Sequence, residues 1–153
     1  MNAELLSVEC GVRSAECKGE VVPPVRLRGL TKEFALRVVR LVAELPESCN
    51  ARVIGTQLLR AGTSVGANYR AACRARSRRE FIAKMGIVEE EADESEFWLE
   101  LVADSGLLEA SRVVPLENEA RRIVAMTVSS IRTARRALRS TPHSAPRTPH
   151  TPS

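Results

Sequence analysis

Basic side chains are concentrated in two stretches of this 153-residue sequence, residues 70–84 and residues 132–139. Guanidinium and ammonium groups at such a density suit phosphate binding, because they contact phosphate oxygens and release the counterions that surround a nucleic acid. The sequence therefore predicts a surface that binds RNA or DNA, largely without sequence specificity. The candidate binding residues are Arg60, Arg70, Arg74, Arg76, Arg78, Arg79, Lys84, Arg132, Arg135, Arg136 and Arg139.

Signatures of catalysis and of cofactor binding are missing from the sequence. It contains no Gly-rich phosphate loop, no H-E-x-x-H motif and no nucleophile elbow. Acidic residues are frequent between 89 and 104, but residues 31–139 hold no histidine with which they could form a Glu-x-x-His di-metal site. The spacing of the four cysteines is not that of a zinc site, so we expect unlinked thiols. We predict a protein that is not an enzyme and holds no metal or cofactor. The cysteines are Cys10, Cys17, Cys49 and Cys73.

The elements that must position the basic residues are helices. Aromatic residues make up 3% of the chain, so its core must be aliphatic and rich in alanine, which suits helices better than sheets. Apolar residues recur at spacings of three and four through residues 30–139, as on the inner faces of bundled helices. The sequence predicts an all-α, antiparallel up-down-up-down four-helix bundle. Residues 1–29 are expected to form a flexible leader, and the Ser/Thr/Pro-rich residues 140–153 a disordered tail.

Hydropathy gives an expectation for the compartment. No apolar run reaches membrane-spanning length, and the first residues lack the apolar core of a signal peptide. We therefore expect a soluble, cytoplasmic protein.

Local signals place the first two helices. Helix A is expected over residues 31–45, with Thr31 as its N-cap and Pro46 after its end. Helix B is expected from Asn50 along a seam that includes Asn68 and reaches Ala75. Three glycines inside helix B would each cost about 1 kcal/mol relative to alanine, so they predict the close approach of another helix. These glycines are Gly55, Gly62 and Gly66.

The third and fourth helices have start and stop signals of their own. The segment S-R-R-E over residues 77–80 is a capping box that starts helix C, and Gly106 is placed as the glycine that ends it. A single helix spanning B and C stays possible, because neither Gly nor Pro marks the turn between them. Pro115 is expected in the first turn of helix D.

Two aromatic residues of helix C are candidates for contacts between copies of the chain. Phe97 and Trp98 lie about 100° apart on the helix, so they cannot both occupy the inner seam that Leu99 already uses. We expect Trp98 to pack outside its own bundle or under a loop. Phe97 and Trp98 are therefore the predicted oligomer interface.

The order of the helices brings the two basic stretches together. Helices B and D run in the same direction, so their ends share one end of the molecule with the start of helix C. Arginines at helix ends also complement the helix dipole, which accounts for part of this charge without any ligand. The excess nevertheless favours phosphate binding, and Tyr69 is the nearby aromatic residue expected to stack on a base. The acidic middle of helix C is expected to be a solvated face, or to pair with arginines of a neighbouring subunit.

Three motifs in this sequence resemble those of a known family. They are Arg60-x-x-x-Ser64-x-x-x-Asn68, Phe81-Ile82-x-Lys84, and Glu91-Ala92-Asp93-Glu94 leading to Trp98-Leu99. Over about residues 30–138 the chain closely resembles the bacterial four-helix bundle family named after the 23S rRNA intervening-sequence protein, also labelled S23 ribosomal protein. Two positions depart from the family pattern: Ala71 stands where Glu usually follows N-Y-R, and Glu90 stands where Lys usually precedes E-A-D-E.

The resemblance implies a bundle that assembles as a ring-shaped homopentamer. The same fold includes the accessory variability protein of diversity-generating retroelements, which associates with nucleic acid and a reverse transcriptase. The partners implied are therefore other copies of the chain, RNA or DNA, and a protein such as a reverse transcriptase. Our leading hypothesis is an oligomeric bundle whose basic end binds nucleic acid. The alternative is a helical scaffold or adaptor that binds a protein partner.

Overall fold

The computed structural model describes residues 24–140, with side chains from residue 26 onward, and these residues form helices and no strand. The prediction of an all-α four-helix bundle is confirmed. The helices are α1 (Pro24–Ala43), α2 (Cys49–Ala72), α3 (Arg78–Asp104) and α4 (Ala110–Arg139). None of these four helices is both long enough and apolar enough to cross a membrane. Most of the predicted leader, and the predicted tail beyond its first residue, lie outside the described residues.

The four helices form a closed arrangement in which each helix has two neighbours. α1 contacts α2 and α4, and α3 contacts the same two helices. Ion pairs join Arg37 to Glu119 and Glu44 to Arg112, so the later part of α1 lies beside the earlier part of α4. The core between the helices is aliphatic, as the composition predicts. Its largest fully buried side chains include Phe34, Leu58, Met85, Leu99, Leu116 and Ile123.

Helix α1 begins at Pro24, well before the predicted start at Thr31. Leu27 is 3% exposed and continues the apolar seam upstream, so burial in the core extends the helix. Proline suits the first helical position, because its φ is already helical and an N–H there would have no partner in the helix. The prediction of Thr31 as N-cap is wrong: its side chain is 1% exposed, and its hydroxyl donates to the carbonyl of Arg28 at 3.2 Å. Residues 24–29 of the predicted leader belong to α1.

Helix α4 also begins earlier than predicted, at Ala110. Pro115 therefore lies inside the helix and not in its first turn, and it has no N–H to donate to the carbonyl of Ser111. Both residues are exposed, so water can satisfy that carbonyl. Val113 is completely buried, and its burial stabilises the helical turns that precede the proline.

The predicted signals at the turns between the helices are confirmed. α2 ends at Ala72, so the prediction that its seam reaches Ala75 is wrong by one turn, and α2 and α3 are separate helices. Ser77 caps α3 by accepting a hydrogen bond from the N–H of Glu80 at 3.1 Å, and the Glu80 carboxylate accepts one from the N–H of Arg76 at 2.8 Å. Gly106 has a φ of 66°, the left-handed conformation in which many helices end.

The glycines of α2 lie where α1 approaches closely, as predicted. A Cβ atom at Gly62 would lie 2.7 Å from a methyl group of Val38, and one at Gly66 would lie 3.2 Å from the carbonyl oxygen of Thr31. A Cβ atom at Gly55 would meet a leucine methyl group at 2.8 Å, just beyond the end of α1. The small residues of α2 therefore serve the packing of α1 against α2.

Candidate nucleic-acid interface

The two basic stretches meet at one end of the bundle. Arg78, the first residue of α3, donates a hydrogen bond from Nη1 to the carbonyl oxygen of Ala137, close to the end of α4, at 3.2 Å. The short turn over residues 73–77 joins the end of α2 to the same place. The end of α2, the start of α3 and the end of α4 therefore lie together, as the sequence predicts.

The basic side chains at this end are accessible. The predicted arginines that lie here are exposed, and Lys84 is half-buried. Apart from Arg78, none of them lies within 4.0 Å of a carboxylate among the described residues. The ion pairs of the described residues are formed by other arginines. Arg78 excepted, their positive charge is therefore not neutralised by close partners among residues 26–140.

Helix α1 adds three cations that the sequence analysis missed. The first two lie in the predicted leader, and the third, which lies within predicted helix A, was not grouped with the basic stretches. Arg26, Arg28 and Lys32 are exposed residues of α1. The carbonyl of Thr31 faces Gly66, so this part of α1 lies beside the last turns of α2. We call the whole set the basic pole. It consists of Arg26, Arg28, Lys32, Arg70, Arg74, Arg76, Arg78, Arg79, Lys84, Arg132, Arg135, Arg136 and Arg139.

Arg60, which the sequence analysis grouped with these residues, lies elsewhere. It is about twelve residues before the end of α2, or about 18 Å along the helix. Its guanidinium contacts the carboxylate of Glu94 and lies 3.7 Å from that of Glu91, both on α3. Hydrogen bonds from Trp98 and Arg60 lower the pKa of Glu94, whereas burial raises the pKa of Glu91 in spite of Arg60. Arg60 therefore connects α2 to α3, and the structure does not bring it to the basic pole.

The two candidate interface residues have different surroundings. Trp98 is half-buried against the core, and its indole N–H donates to Glu94 at 3.1 Å, so it packs on its own bundle and not outside it as expected. The ring of Phe97 meets that of Trp98 edge-on, with 5.0 Å between the centroids. Phe97 is nevertheless 51% exposed. The role of both residues in an oligomer interface stays a prediction.

Aromatic residues near the basic pole are turned inward. Tyr69 is 3% exposed and belongs to the core, so the expectation that it stacks on a base is wrong. Phe34 is completely buried, and Phe81 is half-buried and packs against the core. The contact surface that the pole offers is therefore mainly cationic.

The basic pole contains two helix starts as well as two helix ends. A helix start carries a partial positive charge, which favours acidic side chains and disfavours basic ones. α1 has no acidic residue in its first turn and carries Arg26 there, and α3 begins with Arg78 and Arg79 before Glu80. Compensation of the helix dipole accounts for cations at the ends of α2 and α4. It also accounts for Arg78, whose guanidinium contacts the Ala137 carbonyl near the end of α4, but not for Arg26 and Arg79 at the starts of α1 and α3.

Apart from Glu91 and Glu94, which lie beside Arg60, the acidic residues in the middle of α3 form two sets. Glu96 and Glu100 contact Arg121 of α4 at 2.5 and 3.4 Å, so they take part in packing between the two helices. The second set lines an open groove between α3 and α4, with Arg135 among the other lining residues. Over residues 24–140, no group of three or more potential ligands is arranged to hold a metal ion. The acidic residues of the groove are Glu89, Glu90 and Asp93.

Known proteins share this architecture. Residues 28–129 match the model of a family described as 23S rRNA-intervening sequence protein. The chain is also similar to a protein of unknown function from the S23 ribosomal protein family of Bacteroides thetaiotaomicron VPI-5482, whose crystal structure was determined at 1.70 Å resolution. The two are 35% identical with a TM-score of 0.67, and the match covers 71% of this chain and 97% of that chain. No curated protein matches the sequence.

Proposed function

We propose a function for this chain, which belongs to the 23S rRNA-intervening sequence protein family: its basic pole binds RNA or DNA through the phosphates. Arginine suits this role, because its planar guanidinium can contact two phosphate oxygens at once and stays charged at any physiological pH. The binding is largely independent of base sequence, since phosphates are the same at every step. In this proposal the protein acts by binding and not by catalysis.

One observation above the others supports the proposal, namely the cations at the starts of α1 and α3. Arg26 and Arg79 lie where the helix dipole disfavours positive charge. Their placement costs the free protein some stability, and a phosphate at the pole would reverse that cost, because the dipole of a helix start and the cation both attract an anion. If these positions served only to keep the surface solvated, acidic residues would suit them as well as arginines do.

The direct test compares two triple variants by fluorescence anisotropy with a labelled nucleic acid. One replaces three exposed arginines of the basic pole with glutamate, and the other replaces three exposed arginines outside it, so both change the net charge equally. We expect the first to abolish binding and the second to weaken it only slightly. Equal affinities for the two variants would overturn the proposal. The pole variant carries Arg70→Glu, Arg74→Glu and Arg79→Glu, and the control carries Arg40→Glu, Arg52→Glu and Arg122→Glu.

Salt dependence gives a second readout on the unmodified protein. The logarithm of the affinity should fall linearly with the logarithm of the salt concentration. Each phosphate neutralised on a duplex should contribute about −0.9 to the slope of this line. Six such contacts would weaken binding by about a thousandfold between 50 and 200 mM salt. An affinity that does not change with salt concentration would contradict binding through the phosphates.

A role in assembly is the second candidate, and the exposure of Phe97 favours it. An aromatic side chain that is 51% exposed is a common anchor of protein interfaces. The acidic groove between α3 and α4 is complementary in charge to the basic pole of another copy. We therefore propose that the chain self-associates, in line with the ring that the family resemblance implies, and that a protein partner such as a reverse transcriptase binds the assembly. Light scattering of the wild type and of Phe97→Ser tests self-association, and a monomer for the wild type at micromolar concentration contradicts it.

A further inference from the structure

The arrangement of the basic pole also bears on the kind of nucleic acid that fits it. We infer that the pole is built for double-helical nucleic acid and not for unpaired strands. This inference rests on the proposed function, because it specifies the ligand class of the same site.

Unpaired strands are usually held by two features, a basic groove and exposed aromatic rings on which successive bases stack. The basic pole has the charge without the rings. Tyr69 is 3% exposed, Phe34 is completely buried, and Phe81 packs against the core. The exposed Phe97 lies nineteen residues beyond Arg78, about 28 Å along α3. An unpaired strand at the pole would therefore gain phosphate contacts and no stacking on aromatic rings.

The cations are spread over the corners of the bundle and do not follow a single track. Neighbouring helices in a bundle lie about 8–10 Å apart, so opposite corners are separated by about 11–14 Å. A double helix presents two phosphate rows across grooves about 6–12 Å wide in B-form DNA, whereas an unpaired strand presents one row. Flexible arginine side chains can bridge the remaining difference between the spacing of the corners and the spacing of the two phosphate rows. The corners carry Arg26 and Arg28 on α1, Arg70 and Arg74 at the end of α2, Arg78 and Arg79 on α3, and Arg135 and Arg139 on α4.

The density of charge gives the expected size of the preference. A double helix carries one charge per about 1.7 Å of its axis and releases about 0.9 counterions per phosphate contact, against about 0.7 for an unpaired strand. If the two ligands bound equally well at 1 M salt, six contacts would separate their affinities by about 35-fold at 50 mM salt. The missing stacking would add to this difference.

The experiment measures binding of the full chain to a labelled RNA duplex, a DNA duplex of the same sequence, and each strand alone. The strands are chosen without self-complementarity, and anisotropy is followed at 50 mM salt. We expect at least one duplex to bind about tenfold or more tightly than its own strands. Comparison of the RNA duplex with the DNA duplex shows which of the two the basic pole binds more tightly. Strands that bind within tenfold of both duplexes overturn the inference and leave the proposed function standing. Failure of every ligand to bind overturns the proposed function itself.

A pair of variants tests the argument from stacking. Arg76 is exposed in the turn between α2 and α3, so Arg76→Trp adds a ring there, while Arg76→Leu removes the same charge without adding one. The tryptophan variant should bind unpaired strands about 5- to 150-fold more tightly than the leucine variant, the range for stacking of one base, with equal affinities for duplexes. Circular dichroism checks that both variants keep their helices. Equal affinities for unpaired strands would overturn the argument that the lack of rings makes the pole selective.

Discussion

Replacing Gly62 with alanine should destabilise the bundle, although alanine is the better helix former. The added methyl group would lie 2.7, 2.8 and 3.0 Å from the two methyl groups and the Cβ atom of Val38. Valine has little freedom to move away, because its branched Cβ restricts it to few rotamers. The backbones of α1 and α2 would have to separate, which would loosen the packing at Gly55 and Gly66 as well.

Two opposing effects set the size of the change. Alanine in place of glycine inside a helix gains about 0.5–1 kcal/mol. Overpacking of a well-packed contact costs about 1–3 kcal/mol, so Gly62→Ala should lose up to about 2 kcal/mol of the free energy of unfolding. Gly86 of α3 provides the matched control, since beyond its chain neighbours and the adjoining helix backbone no described atom lies within 4 Å of the position that its Cβ would take. Gly86→Ala should therefore gain the full 0.5–1 kcal/mol or so of helix propensity.

Urea denaturation followed by circular dichroism gives both values with one protocol. The free energy of unfolding should fall below that of the wild type in Gly62→Ala and rise above it in Gly86→Ala. The two variants should differ from each other by about 1–3 kcal/mol, and their melting temperatures by several degrees. Gly62→Leu should lose at least as much as Gly62→Ala, because a longer side chain deepens the overlap. If Gly62→Ala stabilises the protein as much as Gly86→Ala, then α1 does not approach α2 as the structure shows.

Two further predictions concern polar groups inside the bundle. Since the pKa of Glu94 is lowered in the folded protein, its contribution to stability is present above the unfolded pKa of about 4.5 and is lost as the pH falls through the folded value. Glu94→Gln should therefore be less stable than the wild type at pH 7, by no more than about 1 kcal/mol for a pair that water screens, and the difference should vanish in acid. Thermal melts between pH 3 and 7 measure this, and a difference that persists in acid would contradict the assignment. Thr127 is completely buried and its hydroxyl has no partner in the described chain, so Thr127→Val should stabilise the protein by about 1 kcal/mol. A lower melting temperature for this variant would show that the hydroxyl is hydrogen-bonded.

The features that could be predicted from the sequence depend on neighbours along the chain. The inner face of α3 follows from its spacing, and Met85, Val88, Ala92, Ser95 and Leu99 are all completely buried. Its start at the capping box and its end at a glycine are local in the same sense. Because these signals need no partner from elsewhere in the fold, the bundle class could be predicted.

The errors arose where two local signals competed. The residue type of Thr31 suits an N-cap, but Leu27 continues the apolar seam one turn further upstream. Burial of Leu27 in the core stabilises the longer helix. The seam of α2 was expected to include Asn68, whereas its neighbour Tyr69 is the deeply buried residue. Adjacent residues differ by about 100° around a helix, so small errors in phase exchange a buried side chain for an exposed one.

The ion-pair partners of Arg60 could not be predicted, because they lie on another helix. Its charge looks like that of the other arginines in the sequence. Only the packing of α2 beside α3 brings Glu91 and Glu94 to it. Contacts between residues far apart in sequence depend on how each helix is rotated about its axis, which periodicity fixes only approximately.

The side-chain charges at the two ends of α3 add to the helix's own dipole instead of offsetting it. The helix begins with Arg78 and Arg79 and ends with Asp104, about 39 Å away, with no basic residue in its last turn. A molecule charged in this way experiences a torque in the field of a polyanion, which turns the basic pole forward before the two molecules touch. Electrostatic steering of this kind raises the association rate and acts over roughly the 10 Å screening length of 0.1 M salt. The segregation of charge thus has a kinetic consequence: added salt should slow association more than it hastens release.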